Sequence, residues 1–238
     1  VSDGGIRLTV GQEDESETLR RVAELLPSAV TVSRVSAIDY NLVGVVRGMN
    51  PLRGMVRDLG LAGVRSWDKF VPEAYKYTSF ANRLAVLQGL MDADGNWAKS
   101  SVEFSSASKQ LRDDVVWLAR SVGLKARTAE KKTWYTQNGV RILARQAYRA
   151  IIVERPEVRV FRLERKLGPV RSPLRTERRI VKVETAGEGY AKCITVSAKS
   201  SLFLVGEFIP THNTTTAIQC AAELQKVIKA GGNADPTK

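Results

Sequence analysis

A helical run that ends in two acids and a glycine constrains the fold of this chain more than any other feature. Between Arg83 and Asp94 the apolar residues recur at spacings of three and four, which is typical of a buried helix face. Gly89 and Ala93 lie four positions apart and leave one face almost without side chains, so a second helix can approach closely there. Gly95 is the expected helix stop. A carboxylate at Asp94 faces the negative end of the helix, and a divalent cation at that place would offset the repulsion.

Spacing alone also fits an Asp-Gly turn after a core helix. The nine residues from Leu87 to Gly95 resemble the LAGLIDADG motif of homing endonucleases and differ from it at Gln88 and Met91. In that family two such helices pack side by side, and the last Asp of each holds the metal ions that cut both strands of a DNA duplex. The resemblance implies that Asp94 is a catalytic residue that binds Mg²⁺, whereas Asp92 caps the local backbone.

A diverged internal repeat predicts a first copy of this motif upstream. Asp3 stands in the position that Asp94 occupies in the second copy, and an alternating, strand-like stretch follows each acid. Leu19 and Leu111 then open two segments of helical periodicity. These patterns predict an α+β fold, a pseudo-twofold LAGLIDADG endonuclease of αββαββα-type repeats whose first helix is truncated.

A lysine follows each copy, and acids with lysines suit phosphodiester hydrolysis. Metal ions held by Asp3 and Asp94 would generate hydroxide and neutralise the leaving oxygen, and a nearby lysine would orient water or stabilise the transition state. The Lys69-Phe-Val-Pro sequence resembles a recognised endonuclease block, and Lys166 is its candidate partner in the second copy. Each lysine taken alone also fits a solvated surface.

The charge of the chain agrees with a nucleic-acid partner. Lys and Arg number 37 against 25 Asp and Glu, which gives a net charge of +12. Such a balance suits double-stranded DNA, although it also serves solubility. Cations are dense between positions 141 and 188, and at 158–163 they alternate with apolar residues, which predicts strands with a basic face on the floor of a DNA groove. No apolar run is long enough for a membrane span and no secretory signal is present, so a cytoplasmic protein without a membrane partner is expected.

A second signature lies near the far end of the chain. His212 is the only histidine, Asn213 follows it, and Thr214 comes next. Asn can break its own peptide bond when its amide nitrogen attacks its main-chain carbonyl, and a neighbouring imidazole assists that step. The Thr214 hydroxyl could then accept an acyl group. A His-Asn pair by itself also fits a loop turn.

The residues from Tyr190 to Thr214 resemble the C-terminal splicing region of inteins. The resemblance implies that His212 assists the cyclisation of Asn213, without a cofactor. It also implies that Thr214 is the first residue of the downstream host protein and the nucleophile that receives the upstream host segment. Cys193 stands where one intein class carries its first nucleophile, although a buried strand cysteine fits that position as well.

Three parts follow from these patterns. Residues 1–170 are the N-terminally truncated endonuclease domain, residues 171–213 are the C-terminal splicing region with strands of the Hedgehog/intein fold, and residues 214–238 begin the host segment. The last part is one amphipathic helix that resembles the helix after the phosphate loop of RecA-type recombinases, so a P-loop ATPase that binds ATP is the expected host.

The expected partners are therefore double-stranded DNA, the missing N-terminal intein segment and the host segments. On this interpretation the chain alone neither splices nor cuts DNA efficiently. Two other functions stay open, a free-standing homing endonuclease and a DNA-binding protein of the same family that has lost catalysis.

Overall fold

The computed structural model describes residues 6–98, 101–169, 182–185, 187–190, 194–206 and 208–211. The chain divides into two units, Val1–Thr176 and Glu177–Lys238. No helix within the described ranges is long and apolar enough to cross a membrane. The division into three domains, 1–170, 171–213 and 214–238, stays a prediction. The roles of five predicted site residues also stay predictions, because these residues lie outside the described ones: Asp3, Cys193, His212, Asn213 and Thr214.

The larger unit begins with a three-stranded antiparallel sheet in the order β1-β3-β2. Asn50 caps the second helix, because its side chain accepts a hydrogen bond from the amide of Leu52 at 3.0 Å. The elements of this half are β1 (Ile6–Thr9), α1 (Glu15–Leu25), β2 (Val30–Arg34), β3 (Asp39–Gly44), α2 (Pro51–Asp58) and α3 (Glu73–Lys76).

The second half of this unit is a four-stranded antiparallel sheet in the order β4-β5-β9-β6, with a separate hairpin of β7 and β8 between β6 and β9 in the chain. Its elements are α4 (Phe80–Asp94), β4 (Gly95–Ala98), β5 (Ser101–Ser106), α5 (Lys109–Ser121), β6 (Lys125–Lys131), β7 (Trp134–Gln137), β8 (Val140–Leu143) and β9 (Ala147–Val153).

Both halves follow the same chain path. In each, a strand is followed by a helix and two further strands of the same sheet, and the second half inserts the β7–β8 hairpin before the last of them. The last strand lies between the other two, as β1-β3-β2 and as β5-β9-β6. The helical segments that the sequence places at Leu19 and Leu111 are α1 and α5. The predicted α+β class is confirmed, whereas the pseudo-twofold packing of two repeats stays a prediction.

The core of this unit lies between the four-stranded sheet and the helices α4 and α5. Each large apolar side chain that is fully buried contributes roughly 1.5–3 kcal/mol to the free energy of unfolding. Because strand side chains alternate between faces, every second residue of β5 and β9 enters this core. The side chains with no exposed surface include Leu87 and Met91 of α4, Val102 and Phe104 of β5, Val115 and Leu118 of α5, and Ala150 and Ile152 of β9.

Of the predicted C-terminal strands the structure shows one antiparallel hairpin, β10 (Phe203–Val205) and β11 (Ile209–Thr211). Alternation also predicts strands at 180–184 and 193–196, and the parts of these segments that the structure describes, 182–184 and 194–196, do not form strands. Alternation gives a segment two faces, but a strand also needs a neighbour for its backbone donors and acceptors, and within the described residues these segments have none. The Hedgehog/intein fold therefore stays a prediction.

Candidate metal and nucleic-acid site at the end of α4

The last residue of α4, Asp94, presents an exposed carboxylate at the end of a well-anchored helix. At the other end of α4 the Ser79 hydroxyl accepts a hydrogen bond from the amide of Asn82 at 3.3 Å. Leu87 and Met91 are fully buried in the core. The backbone that carries Asp94 is thus fixed from both ends, while its side chain faces solvent.

Gly95 ends α4 as predicted, but for a different reason. Its φ is −88° and its ψ is 151°, which is extended backbone and not the left-handed conformation of a helix-stop glycine. A Cβ at this position would lie 2.5 Å from the carbonyl oxygen of Met91 and 2.7 Å from its Cε. Lack of space at the α4–β4 corner therefore requires glycine beside Asp94.

Gly89 within α4 and Gly95 at its end give a matched pair of variants that tests this packing. Gly95→Ala is expected to lower the free energy of unfolding by about 1–3 kcal/mol because the corner is overpacked. Gly89→Ala is expected to raise it by about 0.5–1 kcal/mol, because alanine is the better helix former. A Cβ at Gly89 would meet nothing within 4 Å. Urea unfolding followed by circular dichroism measures both variants, and a shift of the same sign in both would contradict this account.

Asp92 binds main-chain amides that lie far along the sequence. Its Oδ1 accepts hydrogen bonds from the amides of Arg162 at 3.0 Å and Leu163 at 3.2 Å, which are 70 and 71 residues away. The prediction that Asp92 caps the backbone near it is therefore wrong. Asp92 binds the main chain of a distant loop, which the fold brings against the end of α4. Burial raises the pKa of this carboxyl, and the two amide hydrogen bonds oppose the shift.

Lys166 lies against the same helix end. Its Nζ is 2.6 Å from the carbonyl oxygen of Asp92, 3.0 Å from that of Gly95 and 3.5 Å from that of Met91. Burial lowers the pKa of this ammonium, and Arg165 adds to the effect, whereas the carboxylates of Asp92, Asp14 and Asp94 oppose it. The three N–H donors of Lys166 thus point at main-chain oxygens, where a cation stabilises the negative end of a helix. In this arrangement Lys166 holds the backbone next to Asp94.

The segment 159–168, which carries Lys166, also contacts the first half of the unit. On one side Gln88 of α4 donates to the carbonyl of Arg159 at 2.9 Å and accepts from Arg162 at 2.6 Å. On the other side Arg165 lies 2.6 Å from Asp14, which lowers the pKa of that carboxyl. This segment therefore links the end of α4 to the residues that precede α1.

The prediction of basic-faced strands at 158–163 is wrong, because this segment forms no strand. Its arginines have partners inside the protein: Arg159 Nε lies 3.0 Å from Glu154 Oε1, and Arg162 binds Gln88. Glu154 is buried and also accepts from the amide of Val160 at 2.6 Å. The alternating cations therefore belong to a loop that is held by side-chain contacts within the protein. They do not form the floor of a DNA groove.

Lys69 sits in a fixed loop, and its ammonium is exposed. The buried Ser108 donates its hydroxyl to the carbonyl of Lys69 at 2.6 Å, and buried Asp114 accepts from the amide of Val71 at 2.8 Å and from Lys76 at 3.0 Å. No ion pair joins Lys69 to a carboxylate of the described residues. The structure brings Lys166 to the end of α4 but shows no contact between Lys69 and Asp94.

The outer face of the four-stranded sheet carries charged residues that no sequence motif identifies. The register places Glu103, Ile151 and Arg127 side by side on the face opposite the core, with Arg149 one row further. Arg149 Nη1 lies 2.9 Å from Glu103 Oε2. The alternation of β6, in which Arg127 occupies an exposed position, is the only sequence signal for this face.

Within the described residues no three His, Cys, Asp or Glu side chains gather into a group that could hold a metal. Mg²⁺ is commonly bound through only one or two protein carboxylates and keeps its other positions for waters and substrate phosphates. A single exposed carboxylate at Asp94 fits that mode of binding.

The helix that carries Asp94 and the sheet that follows it match a known protein family. The model of a family described as LAGLIDADG-like domain matches residues 81–164. Residues 81–164 form a LAGLIDADG-like domain. This domain starts in the first turn of α4, contains the four-stranded sheet and α5, and includes Asp92 and Asp94, whereas Lys69 and Lys166 lie outside it.

The chain is also similar to a protein named replicative DNA helicase DnaB from Mycobacterium intracellulare. The two are 30% identical over 198 residues, which covers 79% of this chain and 31% of that protein. The chain thus spans about a third of the length of this curated relative.

Proposed function

We propose that residues 1–170, with the LAGLIDADG-like domain at their centre, act as a metal-dependent endonuclease on double-stranded DNA. The observation that carries this proposal is the exposed carboxylate of Asp94 at the end of the LAGLIDADG-like helix, on backbone that Lys166 and Gly95 fix in place. Asp3 is proposed as the equivalent acid of the first repeat, and Lys69 is proposed as a cation that faces the cleaved phosphate.

The residues of the chain have separate tasks in this proposal. Bound Mg²⁺ would supply hydroxide and neutralise the leaving oxygen. Asp94 offers it an oxygen ligand, and the ammonium of Lys166 offsets the negative end of α4 next to that carboxylate. Asp92 fixes the segment that carries Lys166 through its two amide hydrogen bonds. Arg127 on the outer sheet face is suited to contact DNA phosphates.

We infer further that this endonuclease is the insert of an intein and that residues 171–213 complete the splicing element. The support is the His212-Asn213-Thr214 sequence and the similarity to a protein named as a DnaB helicase, of which this chain spans less than a third. That similarity favours a replicative helicase as the host, whereas the sequence pattern alone pointed to a RecA-type recombinase. In this proposal His212 assists Asn213 cyclisation and Thr214 accepts the upstream host segment, with Cys193 as a candidate first nucleophile.

Asn213→Ala is expected to abolish cleavage of the peptide bond between positions 213 and 214, because alanine has no side-chain amide to attack the carbonyl. The test uses a protein in which upstream host and splicing segments precede this chain, and mass spectrometry of the incubated product measures the cleavage. Asn233→Ala is the control, since it removes an asparagine that no histidine precedes. Cleavage that persists in Asn213→Ala would show that Asn213 does not act as proposed.

A DNA-binding protein of this family without catalysis is the alternative. The exposed Asp94 carboxylate favours the nuclease, because nothing in the described fold requires an acid at that position. Binding of DNA without cleavage in Mg²⁺ by the wild-type chain, with the proposed upstream intein segment joined before it, would favour the alternative.

A further inference from the structure

A small basic cavity lies beside the start of α5. Its volume is about 290 Å³, and its lining residues are Trp67, Ala107, Lys109, Arg145, Gln146 and Tyr148. The guanidinium of Arg145 lies 3.9 Å from the centroid of the Trp67 ring, and that of Arg65 lies 5.4 Å from the same centroid. One indole therefore holds two guanidinium groups at this cavity.

The cations around this cavity form no ion pairs within the described residues. Among the described residues none of Arg65, Lys109 and Arg145 forms an ion pair with a carboxylate. No Asp or Glu occurs between Glu130 and Glu154, a stretch that includes the whole β7–β8 hairpin. One acid, Glu130, lies next to the lining, because it accepts a hydrogen bond from Gln146 and pairs with Tyr148 across β6 and β9. Arg145 and Lys109 line the cavity, whereas Arg65 and Asp68 do not. An anion in the cavity would reduce the repulsion between the two lining cations.

The geometry of Arg145 suits an oxyanion with two acceptor oxygens. A guanidinium that stacks on an aromatic ring keeps the N–H donors at its edge available for bidentate contact with phosphate. The main chain of Arg145 is held in place, because its carbonyl accepts from the Thr133 hydroxyl, and the neighbouring Ala144 amide donates to the Thr133 carbonyl at 2.9 Å. Arg145 is therefore presented in one orientation at the base of the β7–β8 hairpin.

The cavity lies at the same end of the four-stranded sheet as Asp94. Gly95, which follows Asp94, pairs with Phe104 in β5, and Ser106 at the end of β5 pairs with Tyr148 of the cavity in β9. Since neighbouring strands lie about 4.8 Å apart, two strand spacings separate β4 from β9, roughly 10 Å. Tyr148 lies two residues from Ala150 and therefore on the core face of β9, so a nucleic-acid strand at Asp94 would reach the cavity round this end of the sheet and not along the outer face that carries Arg127.

We propose that this cavity is a subsite for a backbone phosphate of the bound nucleic acid, held by Arg145 and Lys109 in its lining, with Arg65 beside the same indole of Trp67. The subsite rests on the proposed function, because it positions a phosphate next to the one that the Asp94 site would cleave. It differs from the Asp94 site in its chemistry, since it offers cations and stacked donors and no metal ligand.

Two measurements on the full chain test this subsite. The first is binding of a fluorescently labelled 40-base-pair duplex at several salt concentrations by the triple variant Arg65→Gln, Lys109→Gln, Arg145→Gln. The matched control is Arg20→Gln, Arg57→Gln, Lys199→Gln, which removes three exposed cations elsewhere. The site variant should bind at least about tenfold more weakly, and its slope of log affinity against log salt should fall by about 0.9 for each phosphate that it no longer neutralises. The control should show a much smaller decrease in affinity.

The second measurement separates phosphate binding from DNA binding. Inorganic phosphate is added to the ¹⁵N-labelled chain at constant ionic strength, and the indole signal of Trp67, assigned through Trp67→Phe, should shift in the wild type and not in the site variant. Chloride should leave it unchanged.

The outcomes decide the two proposals separately. Equal loss of DNA affinity in the site and control variants, with both folded by circular dichroism, overturns the subsite and leaves the proposed nuclease standing. A wild type that binds no duplex overturns the proposed function, and the phosphate titration alone then decides the subsite. If the indole signal of Trp67 does not shift when phosphate is added, the subsite is overturned in either case.

Discussion

Replacing Asp94 by asparagine is expected to slow Mg²⁺-dependent cleavage of DNA by about a thousandfold, because loss of a carboxylate ligand removes several kcal/mol of charge stabilisation and each 1.4 kcal/mol is about tenfold in rate. Asparagine keeps the size of the side chain and one oxygen acceptor but removes the charge. Binding of DNA should change little, since phosphate contacts from cations dominate that affinity.

The assay follows conversion of a supercoiled plasmid that carries the uninterrupted gene of the proposed helicase host. The protein used is this chain with the proposed upstream intein segment joined before it. Asp58→Asn is the matched control, because it removes another exposed carboxylate at the end of a helix, α2. If the Asp94→Asn variant cuts DNA as fast as the wild type, Asp94 is not part of the proposed catalytic site.

Stability provides a second readout for the same variant. Asp94 lies at the negative end of α4, where a carboxylate is unfavourable by about 0.3–1 kcal/mol. Asp94→Asn should therefore not lower the free energy of unfolding, so a loss of cleavage cannot be attributed to loss of the fold. A variant that is both inactive and much less stable would contradict the assignment of Asp94 as an exposed metal ligand.

Replacing Asp92 by alanine is expected to lower the free energy of unfolding by about 2–4 kcal/mol, because each amide that loses its partner in a buried place costs about 1–3 kcal/mol. The two amides are those of Arg162 and Leu163. Asp92→Asn keeps an oxygen in the position of Oδ1 and should cost much less. Urea unfolding measures the difference, and faster hydrogen exchange at these two amides in Asp92→Ala would locate the effect.

The same pair of variants gives a dependence on pH. Burial raises the pKa of the Asp92 carboxyl in the folded chain. A carboxyl whose pKa is higher in the folded than in the unfolded state favours folding in its protonated form, so its contribution to the free energy of unfolding increases as the pH falls through the folded pKa. Asp92→Asn cannot titrate. Its stability relative to the wild type should therefore be higher at pH 7 than at pH 4, and the reverse order would contradict the raised pKa.

The parts of the fold that follow a local pattern could be predicted from the sequence. The helix α4 follows from the spacing of its apolar residues, and the repeated strand–helix order follows from alternation and periodicity, because both depend on residues close together in the chain. Lys166, which the internal repeat pairs with Lys69, lies at the end of α4, but its Nζ binds main-chain oxygens there and its role at a phosphate stays a prediction. The position of Lys69 relative to Asp94 could not be inferred in this way, since its loop is fixed by Ser108 and by Asp114.

The sequence by itself determined the helix that carries Asp94, the α+β class and the residue types of the proposed DNA-cleaving site. Only the tertiary structure decided which groups surround that carboxylate. The amides that Asp92 binds and the partners of Arg159 and Arg162 come from distant elements, as does the stacking of Arg145 on Trp67. Such contacts depend on the closure of long loops during folding, and residue spacing along the chain carries no information about them.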